Sequence, residues 1–292
     1  MKILLIGDFH GKFSTKVFNQ IKKEKVDLVL CVGDYCGNEK VSKLFFKYIY
    51  GKDESEIPKK IIEEMDKLEK KVVPVGKIVL KRLKELKVMT YSIRGNWDPL
   101  DYPYDIGGTR VRDKDLAEAK NFLKLQNEKF NFIDFGFIEL ESFIILGGAS
   151  STHPGKLSKN CSKRYNKNYS EKEIRNRNRE YKRRKKIYLK NFARAKKKNK
   201  PIIFLTHNCP YKTIDKLQQG PSKGKHYGSY LERLMIKKFQ PEIVVCGHVH
   251  ENRGKTNLKK SKIINPGAVL DNRFAILDLD EITQKYKIKF FN

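Results

Sequence analysis

Acidic residues are scarce in this 292-residue chain: 34 Asp and Glu stand against 63 Lys and Arg, a net charge of +29. That imbalance speaks to partners and solubility, not to fold. Long apolar runs are missing as well. None approaches the roughly 18–20 residues needed to cross a bilayer. The opening run, residues 2–6, is too short for a signal-peptide core and leads straight into Gly7 and Asp8 without a small-residue cleavage site. A soluble, cytoplasmic protein with no membrane partner is expected. Cysteine is sparse and scattered: Cys31, Cys36, Cys161, Cys209 and Cys246 form no C-x-x-C pair. Neither a zinc ribbon nor a disulfide framework fits that set, and free thiols beside apolar runs read as small buried hydrophobes. Internal repeats and Gly/Ser linkers are absent. What is present, 39% apolar and 11% aromatic residues, excludes a wholly disordered chain. The length suits one or two domains at roughly 150 residues each. The expectation is a single domain over 1–292 with a basic helical insertion at about 156–200.

The positive charge is concentrated in that segment. Residues 156–200 hold 20 basic residues against Glu171, Glu173 and Glu180, a balance of +17, which leaves +12 for the other 247 positions. Asn, Arg, Lys and Glu dominate 170–186, which predicts a solvated helix, polar all round. Tyr165, Tyr169, Tyr181, Tyr188 and Phe192 interleave with the charges. Two readings stand open. A basic, aromatic-bearing arm suits a phosphate backbone through counterion release and base stacking, and a solvated insertion suits a chain that is rich in lysine throughout.

Short apolar runs recur at 3–6, 28–32, 88–93, 202–205 and 243–246, each with the length and composition of a buried strand. Further strands are expected at 130–140, 143–146, 262–264, 274–279 and 285–291. Helices are expected at 41–49, 58–69, 77–86, 115–125 and 227–238. The order is β-α-β-α, then paired strands, then β-α-β, which predicts an α/β protein with a mixed sheet system.

Five of these strands end in a polar signature. They are Gly7-Asp8-Phe9-His10-Gly11, Gly33-Asp34, Gly95-Asn96-Trp97-Asp98, Thr206-His207-Asn208 and Gly247-His248-Val249-His250. Ligands of open α/β sheets bind beyond the carboxyl ends of the strands, so all five can converge on one rim. Singly, each is a turn or a surface histidine. Together they present Asp8, Asp34, Asn96 and four of the six histidines, His10, His207, His248 and His250. Oxygen and imidazole donors of this kind suit Zn, Mn, Fe or Ni. In Asp8-Phe9-His10 and His248-Val249-His250, a spacing of two turns both side chains to one side of an extended segment.

This ordered set resembles the calcineurin-like metallophosphoesterase superfamily, whose pattern runs D-x-H, G-D, G-N-H-[DE], H and G-H-x-H. The match runs from residue 3 to about 279. Its distal part, Thr206 to Tyr211, His226-Tyr227-Gly228-Ser229, Gly247 to His250 and Asn265-Pro266-Gly267, looks similar to single-domain bacterial and archaeal phosphoesterases. The resemblance implies an α/β fold, a two-layer mixed β-sandwich flanked by α-helices, with two divalent metal ions per chain at the sandwich edge (Mn2+, Ni2+, Fe2+ or Zn2+). Asp8, His10 and His250 would hold one ion and Asn96, His207 and His248 the other, with Asp34 bridging. Asp34, Asn96 and His207 would carry the catalysis. The implied activity is hydrolysis of phosphoric esters by a metal-activated water, with a phosphodiester, nucleotide or nucleic acid, as substrate.

One position departs from the pattern. Where the family often has His after Gly-Asn, this chain has Trp97, its only tryptophan. An indole N–H donates a hydrogen bond but does not act as a general acid. That departure suits good leaving groups and phosphodiesters, with His153 or His226 as stand-in acids or surface residues. Asp98 is expected either to orient the Asn96 loop or to cap the turn into Pro99. Arg94 is expected to approach a phosphate or to form a structural salt bridge. Two alternatives remain: a nuclease recruited by the basic segment, and a non-catalytic RNA- or protein-binding module on the same fold. Retention of all seven ligands favours the enzyme.

Overall fold

The computed structural model describes residues 1–49, 56–99, 113–149, 170–220, 223–283 and 285–292. Twelve strands among them form two six-stranded sheets. The first runs β12-β11-β1-β2-β3-β4, the second β5-β6-β7-β8-β10-β9. In chain order the strands are β1 Lys2–Ile6, β2 Leu28–Cys31, β3 Met89–Ser92, β4 Phe130–Phe132, β5 Phe137–Glu139, β6 Ile144–Gly147, β7 Ile202–Asn208, β8 Ile243–Gly247, β9 Gly254–Leu258, β10 Ser261–Asn265, β11 Phe274–Leu279 and β12 Tyr286–Phe291. The helices are α1 Thr15–Glu24, α2 Glu39–Leu44, α3 Lys59–Glu69, α4 Val72–Lys84, α5 Asp113–Leu123, α6 Glu171–Lys196 and α7 Tyr230–Phe239.

The apolar runs are continuous because each central strand is buried on both faces. Alternation then divides the side chains between two layers. In β1, Ile3 and Leu5 point into the space between the sheets, where they meet Leu30, Ile145, Ile203, Val245 and Leu277. Leu4 and Ile6 point the other way, against Val17 and Ile21 of α1 and Leu80 of α4. On the far side, Leu146, Phe204 and Val244 of the second sheet pack against Tyr188 and Phe192 of α6 and Met235 of α7. The result is helix, sheet, sheet, helix. β1, β2 and β3 are parallel, as are β6, β7 and β8, so their carboxyl ends share one edge.

Two expectations need correction, and two elements are unexpected. The strand expected over 130–140 is two strands in different sheets: β4 pairs with β3 and β5 with β6. The chain switches layers through Phe135, whose φ is 52°, and Gly136. A single apolar run carries no mark of which sheet each half joins. The segment read as a polar, solvated helix is α6, the crossover between parallel β6 and β7, and one of its faces is in the core. Arg177, Glu180, Arg184, Tyr188, Asn191, Phe192 and Ala195 are buried, a stripe at three- and four-residue spacing. Glu180 hides in that stripe because Arg183 and Arg184 both donate to it, at 2.7 and 2.6 Å. Finally, β9 and α1 carry no expectation at all. The short α1 is fixed by Ser14, whose hydroxyl accepts from Val17 N at 3.3 Å.

The four described cysteines, Cys31, Cys36, Cys209 and Cys246, are buried free thiols; Cys161 lies outside the described residues. No helix among the described residues is long and apolar enough to cross a membrane.

Candidate metal centre

The shared edge gathers all five strand-end motifs. Asp8 and His10 follow β1, Asp34 follows β2, Asn96 follows β3, His207 lies within β7, and His248 and His250 follow β8. Their donor atoms fall into two clusters, Asp8, His10 and His250 in one and Asp34, His207 and His248 in the other, each with its atoms within 4.8 Å of one another. Asn96 joins the second: its Oδ1 lies 2.8 Å from His207 Nε2 and 2.9 Å from His248 Nδ1. Asp34 sits between the clusters, with Oδ2 3.4 Å from His207 Nε2 and 3.6 Å from His10 Nε2. His10 and His250 bring their Nε2 atoms to 3.0 Å.

The backbone is bent to achieve this. Asp8, His10, Asp34 and His248 have φ of 52°, 46°, 54° and 68°, a left-handed region that costs ordinary residues on the order of 1 kcal/mol or more. The loops also approach closely. A Cβ on Gly33, whose φ is +89°, would stand 2.3 Å from Gly95 N, and one on Gly95 would stand 2.0 Å from Asp34 Oδ1. These two Gly residues let the Asp34 and Asn96 loops touch. His207 is aimed by an irregularity in β7: register with β8 shifts between Leu205 and Asn208, a device common beside active sites. Its Nδ1 lies 2.8 Å from Val32 O, so that nitrogen carries the proton and Nε2 faces the cluster.

Asp98 resolves in favour of positioning. It is buried, and its Oδ2 accepts from Asp34 N and Gly95 N, both at 2.8 Å, while Oδ1 accepts from Cys36 N at 3.0 Å. One carboxylate thus ties two ligand loops together. Arg94 is a structural ion pair: its backbone N donates to Asp134 Oδ1 at 2.8 Å, its Nε reaches the other carboxylate oxygen, and an Nη donates to Pro99 O. Trp97 donates its backbone N–H to Asp34 Oδ1 at 2.8 Å, and its ring meets His10 edge-on at 5.8 Å. His226 gives Nδ1 to Asp215 at 2.7 Å and does not line the cleft described below. In that extended segment the neighbouring Tyr227 takes the inward position, its ring stacked on His248 at 5.9 Å. His153 lies outside the described residues.

Burial dominates the titration of the cluster. It pushes Asp8 up, lowers His10 to about 4 and His248 to about 3, and with the nearby Asp34 carboxylate raises Asp98 to about 7. Burial also opposes charge on Asp34 and His207, but their mutual attraction wins, holding Asp34 well below the usual range and raising His207 to about 9. The result is a mixed O/N donor set in which the His10 and His248 imidazoles are held neutral and the central Asp34 carboxylate is strongly acidic. It fits divalent transition-metal ions, which need deprotonated ligands.

A cleft of about 1130 Å³ opens from the cluster, with His10, Asp34, Asn96, His248 and His250 at its inner end. Val41, Phe45 and Met65 form one wall, from α2, the following π-helical turn Phe45–Ile49 and α3; Leu217 and Tyr227 form the other. The sequence singles out none of these walls, although Tyr227 belongs to the quoted His226-Tyr227-Gly228 string. Asp215 builds the loop bearing it, accepting from Lys212, Thr213 and Gly228 backbone N–H groups at 3.1, 2.9 and 2.8 Å. That role carries no sequence signal beyond a lone buried Asp.

Comparison with known proteins places these features in context. Residues 1–252 match the family described as calcineurin-like phosphoesterase. No curated protein matches by sequence. Among solved structures, a dimetal phosphatase from Danio rerio is similar at TM-score 0.53 and 10% identity, over 95% of this chain and 92% of that one. The protein TT1561 of Thermus thermophilus is similar at TM-score 0.52 and 14% identity, over 99% and 97%. At such identities the likeness is one of fold.

Proposed function

This chain belongs to the calcineurin-like phosphoesterase family, and from that premise we propose that it is a divalent-metal-dependent phosphodiesterase. The observation that carries the diester reading is the cleft. Its volume of about 1130 Å³, bounded by Phe45, Met65, Leu217 and Tyr227, exceeds what a bare phosphate fills and lies just above the usual span of small-molecule sites, roughly 300–1,000 Å³. A diester has a second substituent to occupy it. The lining adds support: its described imidazoles, His10, His248 and His250, all belong to the ligand clusters. With Trp97 at the position after Asn96, none of the described imidazoles in the cleft is left to protonate a poor leaving group.

Asp8, His10 and His250 would hold one ion, Asn96, His207 and His248 the second, with Asp34 shared. Bound there, two divalent ions supply Lewis acidity and lower the pKa of a water. The chain's own groups do the rest. Val32 O holds the His207 tautomer, Asp98 keeps the Asp34 and Asn96 loops in register, and the Asn96 amide offers N–H to a non-bridging oxygen. Trp97 and Tyr227 present aromatic faces to the esterifying groups.

The test is hydrolysis of bis-p-nitrophenyl phosphate beside the monoester, with metal-stripped protein reloaded with Mn2+, Ni2+, Zn2+ or Mg2+. Metal-dependent cleavage that favours the diester is expected. Faster turnover of the monoester with every metal would overturn the diester reading.

A further inference from the structure

The outer face of α6 carries a row of exposed cations. Arg179, Lys182, Lys186 and Lys190 are all exposed, as is Lys197 immediately past the helix end. Steps of three, four, four and seven residues keep them within about a quarter of the helix circumference. The stripe is directly opposite the buried face of Arg177, Glu180, Arg184, Tyr188 and Ala195. None of these five cations has a carboxylate partner among the described residues, whereas Arg175 at the helix start pairs with Glu171 at 3.7 Å. Like charges at such spacing disfavour a helix, so this row persists against a local cost.

The row also has a defined place. A Cβ on Gly148, just beyond the rim end of β6, would lie 2.6 Å from Tyr188 Oη. The Tyr188 hydroxyl therefore lies at the rim, and because a helical side chain leans toward the helix N-terminus, the rim level falls about one turn before Tyr188. As the crossover between parallel strands, α6 runs back from the rim toward the start of β7. The residues before that turn, from Glu171 on, extend past the rim by about 20 Å at 1.5 Å per residue. Arg179 and Lys182 ride on this projecting part, on the edge of the molecule that carries the metal ligands, and Lys186 follows at about the rim level.

We propose that the outer face of α6, from Arg179 to Lys197, is a docking surface for the phosphate backbone of a nucleic-acid strand. A row of cations over about 27 Å matches a ligand that carries charge at regular intervals. A lipid surface fits less well, because membrane-lying helices present an apolar face, and the apolar face of α6 is spent on the core. An acidic protein partner fits less well too, since the row offers no aromatic or aliphatic anchor of the kind that dominates protein interfaces. Only the link from this surface to hydrolysis rests on the phosphodiesterase reading; the binding does not.

The test uses the metal-stripped full-length protein, so binding is read without turnover. Fluorescence anisotropy with a labelled single-stranded RNA and a labelled duplex DNA is followed between 50 and 200 mM salt. The variant Arg179→Gln/Lys182→Gln/Lys186→Gln/Lys190→Gln is compared with one that loses the same charge elsewhere, Lys16→Gln/Lys23→Gln/Lys237→Gln/Lys260→Gln. The stripe variant is expected to lower the slope of log K against log salt by about 3 on the single strand, at about 0.7 per phosphate contact. The control variant keeps most of the slope. Equal weakening in the two would overturn the proposal, since it would reduce the effect to net charge. Stripe-dependent binding that is tighter to anionic vesicles or to poly-glutamate than to either nucleic acid would also overturn it. Reloaded with metal, the stripe variant keeps its hydrolysis of bis-p-nitrophenyl phosphate. Absence of that hydrolysis in the unmutated protein, with stripe-dependent binding intact, would sink the phosphodiesterase reading and leave the docking surface standing.

Discussion

At the ligand rim, Asp8, His10, Asp34 and His207 are all buried, and every one has a polar neighbour within 4 Å. Along the outer face of α6, Arg179, Lys182, Lys186 and Lys190 stand in water with no carboxylate beside them among the described residues. The same Coulomb law governs both regions, but the medium differs. Two unit charges 4 Å apart interact by about 1 kcal/mol in bulk water and by about 4 kcal/mol at an effective dielectric of 20. Buried charge therefore has its geometry dictated by its partners, down to the left-handed backbone at Asp34. Exposed charge is cheap to place and cheap to move, so contacts within the chain do not fix its arrangement.

The sharpest way to break the buried half is Asp34→Asn. It removes the carboxylate that stands between the two clusters and leaves the imidazole of His207 without its main counter-charge. Turnover of a chromogenic diester is expected to fall by several orders of magnitude, well beyond the 10–100-fold typical for an outer partner of a ligand, and bound metal per chain is expected to drop. Near-normal turnover with metals loaded would refute the shared-carboxylate assignment.

Between the two extremes lies Glu232 on α7. It is 3% exposed, accepts from Tyr188 Oη at 3.1 Å, and has its other oxygen without a hydrogen bond. Burial raises it from 4.5 to about 7. From about pH 4.5 to 7 the unfolded chain gives up this proton while the folded protein keeps it, so stability falls as pH rises through that window. Glu232→Gln abolishes the effect. Its denaturation midpoint should match the unmutated protein near pH 4.5 and exceed it at pH 8, by on the order of 2–3 kcal/mol in unfolding free energy. A pH-independent difference would mean that Glu232 is already ionised in the fold.

The smallest effect belongs to the exposed half. Neutralising Arg179, Lys182, Lys186 and Lys190 together should change unfolding free energy by about 0.5 kcal/mol or less per site. Any change should be toward greater stability, because like charges are removed. Thermal unfolding checks this, and a large loss would show that the stripe is braced by contacts within the chain.

The strand-end motifs were legible because metal chemistry restricts residue type as well as position. Asp8-x-His10 and His248-x-His250 each set two donors two residues apart, and few other roles ask for that pair. The segments are not extended as expected, because left-handed turns at Asp8, His10 and His248 aim the side chains, and His248 and His250 go to different clusters. Less was legible wherever the answer depended on a neighbour. His226 and Tyr227 are adjacent, and only the Asp215 loop decides that the histidine is bonded there while the tyrosine faces His248. Asp98 reads equally as a turn cap or a brace until Asp34 N and Cys36 N are seen to donate to it. Arg94 reads as a phosphate contact or as half of a salt bridge until Asp134, forty residues on, is seen to pair with it.

Alone, the residue pattern determined an α/β class with a mixed sheet system and the seven candidate donors, because buried parallel strands demand unbroken apolar runs and metal ligation demands a short list of side chains. The helix-flanked sandwich came with the family resemblance. Tertiary structure decided the rest. It sent residues 130–132 and 137–139 into different sheets, buried one face of α6, and assembled the cleft from α2, α3 and the Tyr227 loop. Those outcomes depend on which surfaces meet across the core, and a local pattern can state what a segment will bury but not against what.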